Sequence, residues 1–225
     1  MAHYEKPDFW SIKAQKEGYP ARSVYKLKEI DEKFSFFKSS YQKTIFKQNA
    51  GQTNPVKVNT PALRVLDLGA APGSWSLYIL NKYGKRPGAL FLAAVDLQPL
   101  QENSVFSGRD NFFFIQGDFT GSPARDELLS RGPYTTVISD AAPPTTGSRT
   151  VDTQRSFLLA EEAFSFANSC LVSGSNLAVK VFQGAETNAL LKRFREFFDS
   201  AKSFKPAACR SNSFETYLLG FGKKV

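Results

Sequence analysis

The chain has 225 residues, of which 42% are hydrophobic and 14% aromatic, so it can bury one large core and global disorder is excluded. No apolar run approaches the roughly 18 residues of a membrane span, and the start of the chain lacks the apolar core of a signal peptide, so we expect a cytoplasmic protein with no membrane contact. The net charge of +8 is concentrated at the two ends: residues 1–60 carry 11 Lys and Arg against 6 Asp and Glu, and residues 192–225 carry 8 against 3.

Two basic ends around a slightly acidic middle favour a polyanionic partner bound by the flanks and a cofactor held between them. Ordinary solvated surface charge would give the same counts. The two cysteines, Cys170 and Cys209, have neither metal nor disulfide spacing, so we expect reduced thiols and no metal site.

The first predicted elements are helices, because residues 9–37 have a helical pattern that breaks at Gly18-Tyr-Pro20. After the break, Ser23 is placed to cap a helix whose apolar positions 24, 27 and 30 share one face. Lys26 projects past the buried side of that helix. Residues 38–60 are polar and contain Asn-Ala-Gly and Asn-Pro turn signals, so we predict a loop there.

From residue 62 onward, strand-like and helix-like runs alternate. The strand-like runs are Arg64–Leu68, Ala89–Asp96, Asn111–Gln116, Thr135–Asp140, Asn176–Phe182, a run near Phe204–Ala208, and Glu215–Gly222. The helix-like runs are Ser74–Lys82, Ser122–Leu129, Ser156–Leu171 and Glu186–Phe198. This alternation predicts an α/β fold with a mostly parallel, seven-stranded sheet and helices on both faces. The last run has no helix after it, so we expect one antiparallel strand.

The most informative stretch runs from Val65 to Ser76, where a branched apolar run ends in an acid and then breaks at Gly69, Pro72 and Gly73. A strand, a glycine turn and a helix form the opening unit of a nucleotide-binding sheet, in which glycine lets the backbone approach a ligand. The spacing matches neither G-x-G-x-x-G nor G-x-x-x-x-G-K-[ST], so a ligand without phosphate, such as S-adenosylmethionine, fits better. Glycine turns after strands are also common structural features.

Three acids lie at the ends of successive predicted strands, where open α/β sheets bind their ligands. Asp67 would hold the turn or orient the cofactor, Asp96 would accept hydrogen bonds from ribose hydroxyls, and Asp118 would reach an adenine amino group. Each acid alone is equally well explained as a helix N-cap. Their recurrence at successive strand ends favours a cofactor site.

Lys180 is conspicuous because a cation inside an apolar, central strand is costly unless it points into a polar site. Glu215 similarly begins an otherwise apolar strand. Two structural explanations need no function. Lys180 could reach solvent from the sheet edge, or Lys180 and Glu215 could form a buried ion pair.

Six segments follow one another in the order and at the intervals of a known family. They are Arg22-Ser-Val-Tyr-Lys-Leu-Lys-Glu-Ile30, the turn from Asp67 to Ser76, Gln116-Gly-Asp-Phe119, Ser139-Asp-Ala-Ala-Pro143, Val179-Lys-Val-Phe-Gln-Gly184 and Ser213-Phe-Glu-Thr-Tyr217. From about residue 22 to its end, apart from residues 38–60, the chain resembles the FtsJ-type ribosomal RNA ribose 2′-O-methyltransferases. The resemblance implies a Rossmann-like, S-adenosylmethionine-dependent methyltransferase domain over residues 61–225, preceded by a basic helical extension over 1–37 and a loop over 38–60.

The resemblance also implies the residues of the site. The family's Lys-Asp-Lys-Glu catalytic tetrad would fall on Lys26, Asp140, Lys180 and Glu215. Its S-adenosylmethionine contacts would fall on Gly73, Trp75, Asp96, Asp118 and Asp140, and the glycine turn adds Asp67 and Gly69 to the predicted cofactor site.

The implied reaction is methyl transfer from S-adenosylmethionine to a ribose 2′-hydroxyl of a uridine in large-subunit ribosomal RNA, on the ribosomal subunit. The implied partner is ribosomal RNA or the large subunit, bound by a monomer through its basic N-terminal and C-terminal surfaces. Two alternatives stay open: a related enzyme acting on tRNA or an mRNA cap, and a non-catalytic RNA-binding assembly factor with the same fold.

Overall fold

The computed structural model describes residues 8–38, 63–210 and 212–225, so the predicted loop over 38–60 lies outside the described residues apart from Lys38. The helices are α1 (Phe9–Lys16), α2 (Val24–Phe34), α3 (Ser74–Tyr83), α4 (Ala124–Ser130), α5 (Arg149–Cys170) and α6 (Thr187–Phe197). The strands are β1 (Leu63–Leu68), β2 (Leu90–Asp96), β3 (Phe112–Gln116), β4 (Tyr134–Ser139), β5 (Leu171–Phe182), β6 (Phe198–Phe204) and β7 (Glu215–Lys223). None of the helices in these ranges combines the length and the apolar composition that a bilayer span needs.

The seven strands form one sheet in the order β3-β2-β1-β4-β5-β7-β6. Strands β1 to β5 pair in parallel, and β7 is antiparallel to both of its neighbours. The predicted mostly parallel sheet with one antiparallel strand is therefore confirmed. From β1 the chain builds the sheet outward through β2 to β3, and it then returns to β4 and builds outward in the opposite direction through β5. The topological switch point therefore lies between β1 and β4, and ligands of open α/β sheets bind in the crevice at such a point.

Alternate side chains of each strand pack into one of two cores, because successive side chains of a strand point to opposite faces. Leu66 and Leu68 pack in a core with residues of α4, α5 and α6, whereas Leu63 and Val65 pack in a core with residues of α1, α2 and α3. Helices thus cover both faces of the sheet, as predicted.

The predicted apolar face of α2 is confirmed, since Val24, Leu27 and Ile30 are fully buried in the same core as Val65. The division of the chain at residues 37 and 61 stays a prediction. Both cysteines are buried free thiols.

A polar contact between α2 and α3 is built on Asp31, which is buried. Its Oδ2 accepts hydrogen bonds from Tyr78 Oη at 2.7 Å, Lys82 Nζ at 2.6 Å and Tyr83 Oη at 2.6 Å. Burial and the Asp31 carboxylate raise the pKa of both tyrosines, so their hydroxyls stay protonated and act as donors.

Three element boundaries differ from the prediction by more than two residues. Helix α5 begins at Arg149 rather than Ser156, because residues 149–155 are mostly polar and carry no apolar stripe. Strand β5 begins at Leu171 rather than 176. Strand β6 spans 198–204 rather than the run near 204–208, since it is fixed by antiparallel pairing with β7, a contact that local pattern does not report.

Candidate active site

The glycine turn after β1 adopts backbone conformations that favour glycine. Gly69 has φ +78°, and a Cβ built on it would lie 2.6 Å from the Cα of Ala141. Gly73 has φ +109°, and a Cβ there would lie 3.0 Å from the ring of Phe106. Glycine at position 69 therefore lets the turn after β1 pack directly against the backbone that follows β4.

Asp67, near the end of β1, is fully buried and accepts a hydrogen bond from Ser76 Oγ at 2.7 Å. This bond ties the strand to the first turn of α3. Its other oxygen, Oδ1, has no hydrogen-bond partner among the described residues. Burial raises the pKa of Asp67 to about 7, against the bond from Ser76, and the charges of Asp140 and Asp96 add to the increase.

The raised pKa of Asp67 makes a testable contribution to stability. Between the ordinary pKa of an aspartate, 3.8, and about 7, the folded protein keeps a proton that the unfolded chain releases, so the free energy of unfolding falls as the pH rises through this range. Asp67→Asn removes this titration. We expect the free energy of unfolding of Asp67→Asn, relative to wild type, to increase by about 3 kcal/mol from pH 4.5 to pH 7.5.

Urea unfolding at four or five pH values measures this difference. Asp110→Asn, which changes an exposed aspartate, is the matched control and should show a flat difference. A flat difference for Asp67→Asn would mean that Asp67 does not titrate in this range.

The two other strand-end acids hold turns and also face a cavity. Asp96 accepts hydrogen bonds from the backbone N–H of Ala71 at 2.9 Å and of Gln98 at 2.8 Å. Asp118 accepts from the backbone N–H and from Oγ1 of Thr120, both at 2.8 Å. Neither acid is a helix N-cap, the role considered for single acids, since α3 follows Gly73 and α4 follows Pro123. The turn contacts instead orient both carboxylates at the cavity wall.

The cavity has a volume of about 710 Å³, within the size range of small-molecule sites. It lies at the switch point and is lined by Gly69, Asp96, Leu97, Asp118, Phe119, Thr120, residues 141–144 and residues of α5. Of the three strand-end acids, Asp96 and Asp118 line this cavity, whereas Asp67 is buried behind it and is not part of its wall. The carboxylates of Asp96 and Asp118, beside Gly69, fit the predicted cofactor. We predict that these acids would hold its amino and hydroxyl groups.

Trp75 was predicted as a cofactor contact, and its side chain is engaged elsewhere. The indole is buried, its Nε1 donates to the carbonyl of Ser23 at 2.8 Å, and its ring packs on Tyr217 with centroids 5.8 Å apart. A cofactor contact at Trp75 would therefore use its backbone N–H, in the first turn of α3.

The four predicted tetrad residues are brought together as two ion pairs. Lys26 Nζ lies 2.8 Å from Glu215 Oε1, and Lys180 Nζ lies 2.9 Å from Asp140 Oδ1. Lys180 also donates to the backbone carbonyl of Asp140. All four side chains are at most 15% exposed. The direct pair of Lys180 with Glu215, considered as a structural explanation, is not the arrangement found.

The two pairs couple electrostatically. Burial would raise the pKa of Asp140, but the positive charges of Lys180 and Lys26 outweigh it, so the pKa is lowered. Burial would lower the pKa of Lys26, but the negative charges of Asp140 and Glu215 outweigh it, so the pKa is raised. Asp140 is therefore an anion and Lys26 a cation near neutral pH.

Tyr217, which was not among the predicted site residues, belongs to this cluster. Its Oη donates to Asp140 Oδ1 at 2.6 Å, and it is the cross-strand neighbour of Lys180 in the pairing of β5 with β7. Its pKa is raised well above the ordinary value by burial and by the charge of Asp140, so it stays a donor. The available signal was its spacing of two from Glu215, which places both residues on one face of the strand.

A second cavity, of about 630 Å³, has two tetrad residues, Lys26 and Glu215, in its wall. We call it the arginine groove; it is lined by Ala21, Arg22, Ser23, Lys26, Thr145, Gly147, Arg149, Asp152, Phe182, Arg210, Asn212, Ser213, Phe214 and Glu215. Asp152 fixes one wall by accepting from the backbone N–H of Thr146 at 2.7 Å and of Gly147 at 3.2 Å. The sequence analysis did not assign Arg149 or Arg210 to the site.

Comparison with known proteins supports the fold and the cofactor. The curated ribosomal RNA large subunit methyltransferase E of Treponema denticola is 45% identical over 98% of this chain and 97% of its own length. A crystal structure from Plasmodium falciparum, assigned as a ribosomal RNA methyltransferase, is 22% identical with a TM-score of 0.66 over 91% of this chain and 98% of its own. Human methyltransferase-like protein 13, solved with S-adenosylhomocysteine, is 15% identical with a TM-score of 0.50 over 72% of each chain.

The two structural likenesses show the fold, and the sequence matches show the family. A family profile described as FtsJ-like methyltransferase matches residues 19–223. This match confirms the predicted family and supports S-adenosylmethionine as the methyl donor. The chain belongs to the FtsJ-like methyltransferase family.

Proposed function

We propose that the protein transfers a methyl group from S-adenosylmethionine to the 2′-hydroxyl of a uridine ribose in large-subunit ribosomal RNA, on the ribosomal subunit. The observation that carries this proposal is the position of the ion-paired tetrad between two cavities. Asp140 directly precedes Ala141 in the wall of the acid-lined cavity, and Lys26 and Glu215 line the arginine groove. A methyl donor in the first cavity and a ribose in the second would meet at the tetrad.

A ribose hydroxyl is a weak nucleophile at neutral pH, so transfer needs alignment and removal of the hydroxyl proton. S-adenosylmethionine, when bound, supplies an electrophilic methyl group. Lys180 accepts the hydroxyl proton or orients the hydroxyl. Asp140 holds Lys180 through both its carboxylate and its carbonyl, which accept from two of the three N–H bonds of the ammonium and leave the third to orient the hydroxyl. To act as the base, Lys180 has to give up that third proton first.

Lys26, Glu215 and Tyr217 act as positioning residues in this proposal. The raised pKa of Lys26 keeps it protonated, so it is unsuited to be the base, and its charge together with Tyr217 fixes Asp140 as an anion. Glu215 holds Lys26 at the wall of the groove.

The RNA substrate is supported by charge and by the relatives. Arg22, Arg149 and Arg210 line the groove next to the tetrad, and guanidinium groups are suited to bind phosphates. Arg22 belongs to the basic N-terminal part of the chain and Arg210 to the basic C-terminal part, the two surfaces predicted to bind RNA. The relative from Treponema denticola is named for the large ribosomal subunit. A cytoplasmic monomer is part of the proposal.

The test is methyl transfer from radiolabelled S-adenosylmethionine to three acceptors: large ribosomal subunits that lack the modification, the free ribosomal RNA, and tRNA. Alkaline hydrolysis then locates the label, because a 2′-O-methyl group blocks cleavage of the adjacent phosphodiester and leaves an alkali-stable dinucleotide. We expect label in such a dinucleotide with uridine at its 5′ side, and more label from subunits than from free RNA or tRNA. Label in mononucleotides would overturn ribose methylation, and preferred labelling of tRNA would overturn the ribosomal substrate.

A further inference from the structure

Two aromatic residues line the arginine groove, Phe182 and Phe214. Phe182 is buried, whereas Phe214 is partly exposed. The rings meet edge to face with centroids 4.7 Å apart, and the carbonyl of Phe214 accepts a hydrogen bond from the N–H of Gln183 at 2.8 Å. Phe182 therefore supports Phe214 from the core, and Phe214 presents its ring at the groove wall, one residue before Glu215.

Arg149 lies beside this ring, and Arg22 and Arg210 line the same groove. The guanidinium carbon of Arg149, an exposed residue at the start of α5, lies 5.5 Å from the centroid of the Phe214 ring. Arg22 is held across the groove by its bond to the carbonyl of Ala208 at 2.6 Å. Arg22 also forms an ion pair with Asp8. Burial lowers the pKa of Arg22, and the positive charge of Arg210 lowers it further against the opposing charge of Glu215, so the two guanidinium groups of the groove repel each other. An anion between them would remove that repulsion.

The depth of the tetrad restricts how RNA can reach it. The side chains of Lys180 and Asp140 are 8% and 15% exposed. A ribose within a stacked helix is held back from such a depth by its neighbours, so the acceptor nucleotide has to leave the stack. Enzymes that take a nucleotide out of its stack bind the freed base by stacking it on aromatic or guanidinium planes.

We propose that Phe214 is the stacking platform for the base of the acceptor nucleotide, that Arg149 covers the other face of that base, and that Arg22 and Arg210 bind the neighbouring phosphates. This inference rests on the proposed function and specifies how its substrate is held. The platform has no donor or acceptor, so it selects for an unstacked base and not for a particular one.

The test compares two fluorescein-labelled probes, an eight-nucleotide oligouridylate and a ribose-phosphate oligomer of the same length without bases. Binding is measured by fluorescence anisotropy at fixed ionic strength. Because stacking of a base on an aromatic ring is worth about 1–3 kcal/mol, Phe214→Leu should weaken binding of the oligouridylate roughly tenfold and leave binding of the abasic probe unchanged. Phe214→Trp keeps an aromatic ring at this position and should bind the oligouridylate as tightly as the wild-type protein does. The control is Phe197→Leu, which removes a 43% exposed phenylalanine outside the groove and should change neither probe.

A second measurement uses the RNA acceptor identified by methyl transfer. Phe214→Leu should raise KM for that RNA about tenfold and change kcat less, with the affinity for S-adenosylmethionine unaltered. Wild-type affinity of Phe214→Leu for the oligouridylate, or an equal loss on both probes, would overturn the platform even if the enzyme methylates ribosomal RNA. If instead the wild-type protein methylates no RNA, while Phe214→Leu weakens binding of the oligouridylate alone, the proposed function fails and the stacking of an RNA base on Phe214 stands.

Discussion

Replacing Lys180 by alanine is expected to lower the rate of methyl transfer by about 10²–10⁴-fold, the range typical for loss of a positioned acid or base. The affinity for S-adenosylmethionine should change by no more than a few-fold, because Lys180 does not line the acid-lined cavity, which contains Asp96 and Asp118 in its wall. The variant is expected to fold, since Asp140 keeps its hydrogen bond from Tyr217 and the charge of Lys26 nearby. Single-turnover kinetics and equilibrium dialysis of the cofactor measure the two quantities.

Two further variants sharpen this result. Lys192→Ala removes an exposed lysine of α6 and should leave transfer unchanged. Lys180→Arg keeps a positive charge but cannot release its proton near neutral pH, so it separates a base from an orienting cation. Loss of activity in Lys180→Arg supports the base, and retained activity supports orientation alone. Near-wild-type turnover of Lys180→Ala would remove Lys180 from the proposed mechanism.

The largest expected effect on stability comes from Asp31→Ala. The substitution leaves Tyr78, Lys82 and Tyr83 without the oxygen that accepts from all three, and it does so at a buried contact between α2 and α3. Breaking a buried pair by removing one partner typically costs about 3–5 kcal/mol. Because Lys82 is partly exposed and can be rehydrated, we expect a loss near 3 kcal/mol, the lower end of that range.

Urea unfolding at pH 7 measures this loss. Glu32→Ala, at the exposed neighbouring position on the same helix, is the matched control and should change the free energy of unfolding by less than about 0.5 kcal/mol. Asp31→Asn keeps one acceptor oxygen and should fall between the two. A loss below about 1 kcal/mol in Asp31→Ala would mean that the three donors find water or other partners instead.

The fold, the glycine turn and two members of the tetrad, Lys180 and Glu215, leave local signals in the sequence. The glycine turn at Gly69 and Gly73 follows from backbone conformation, and the acids mark the ends of strands. Lys180 stands out because a cation in an apolar strand needs a polar partner. These signals come from residue type within a short segment, and they predicted the parallel sheet and its antiparallel strand. Lys26 and Asp140 were assigned to the tetrad through the resemblance to the family alone.

Asp140 was expected to be the partner of Lys180, but the other pairings depend on contacts between distant segments. Residue type alone did not indicate that Glu215 pairs with Lys26 rather than with Lys180, or that Tyr217 donates to Asp140. Strand β6 was misplaced for the same reason, since its position follows from pairing with β7 rather than from its own pattern. The arginine groove also joins segments more than 100 residues apart in the chain, from Arg22 to Arg210.

The pairing of β5 with β7 has a thermodynamic consequence. Lys180 faces Tyr217 and residue 182 faces Glu215 across the ladder, so two tetrad members and the tyrosine are held by interior strands rather than by loops. Their conformational entropy is lost when the protein folds and not when RNA arrives. Binding energy from the arginines and from Phe214 is then available to extract the acceptor nucleotide from its stack, because none of it is needed to assemble the tetrad.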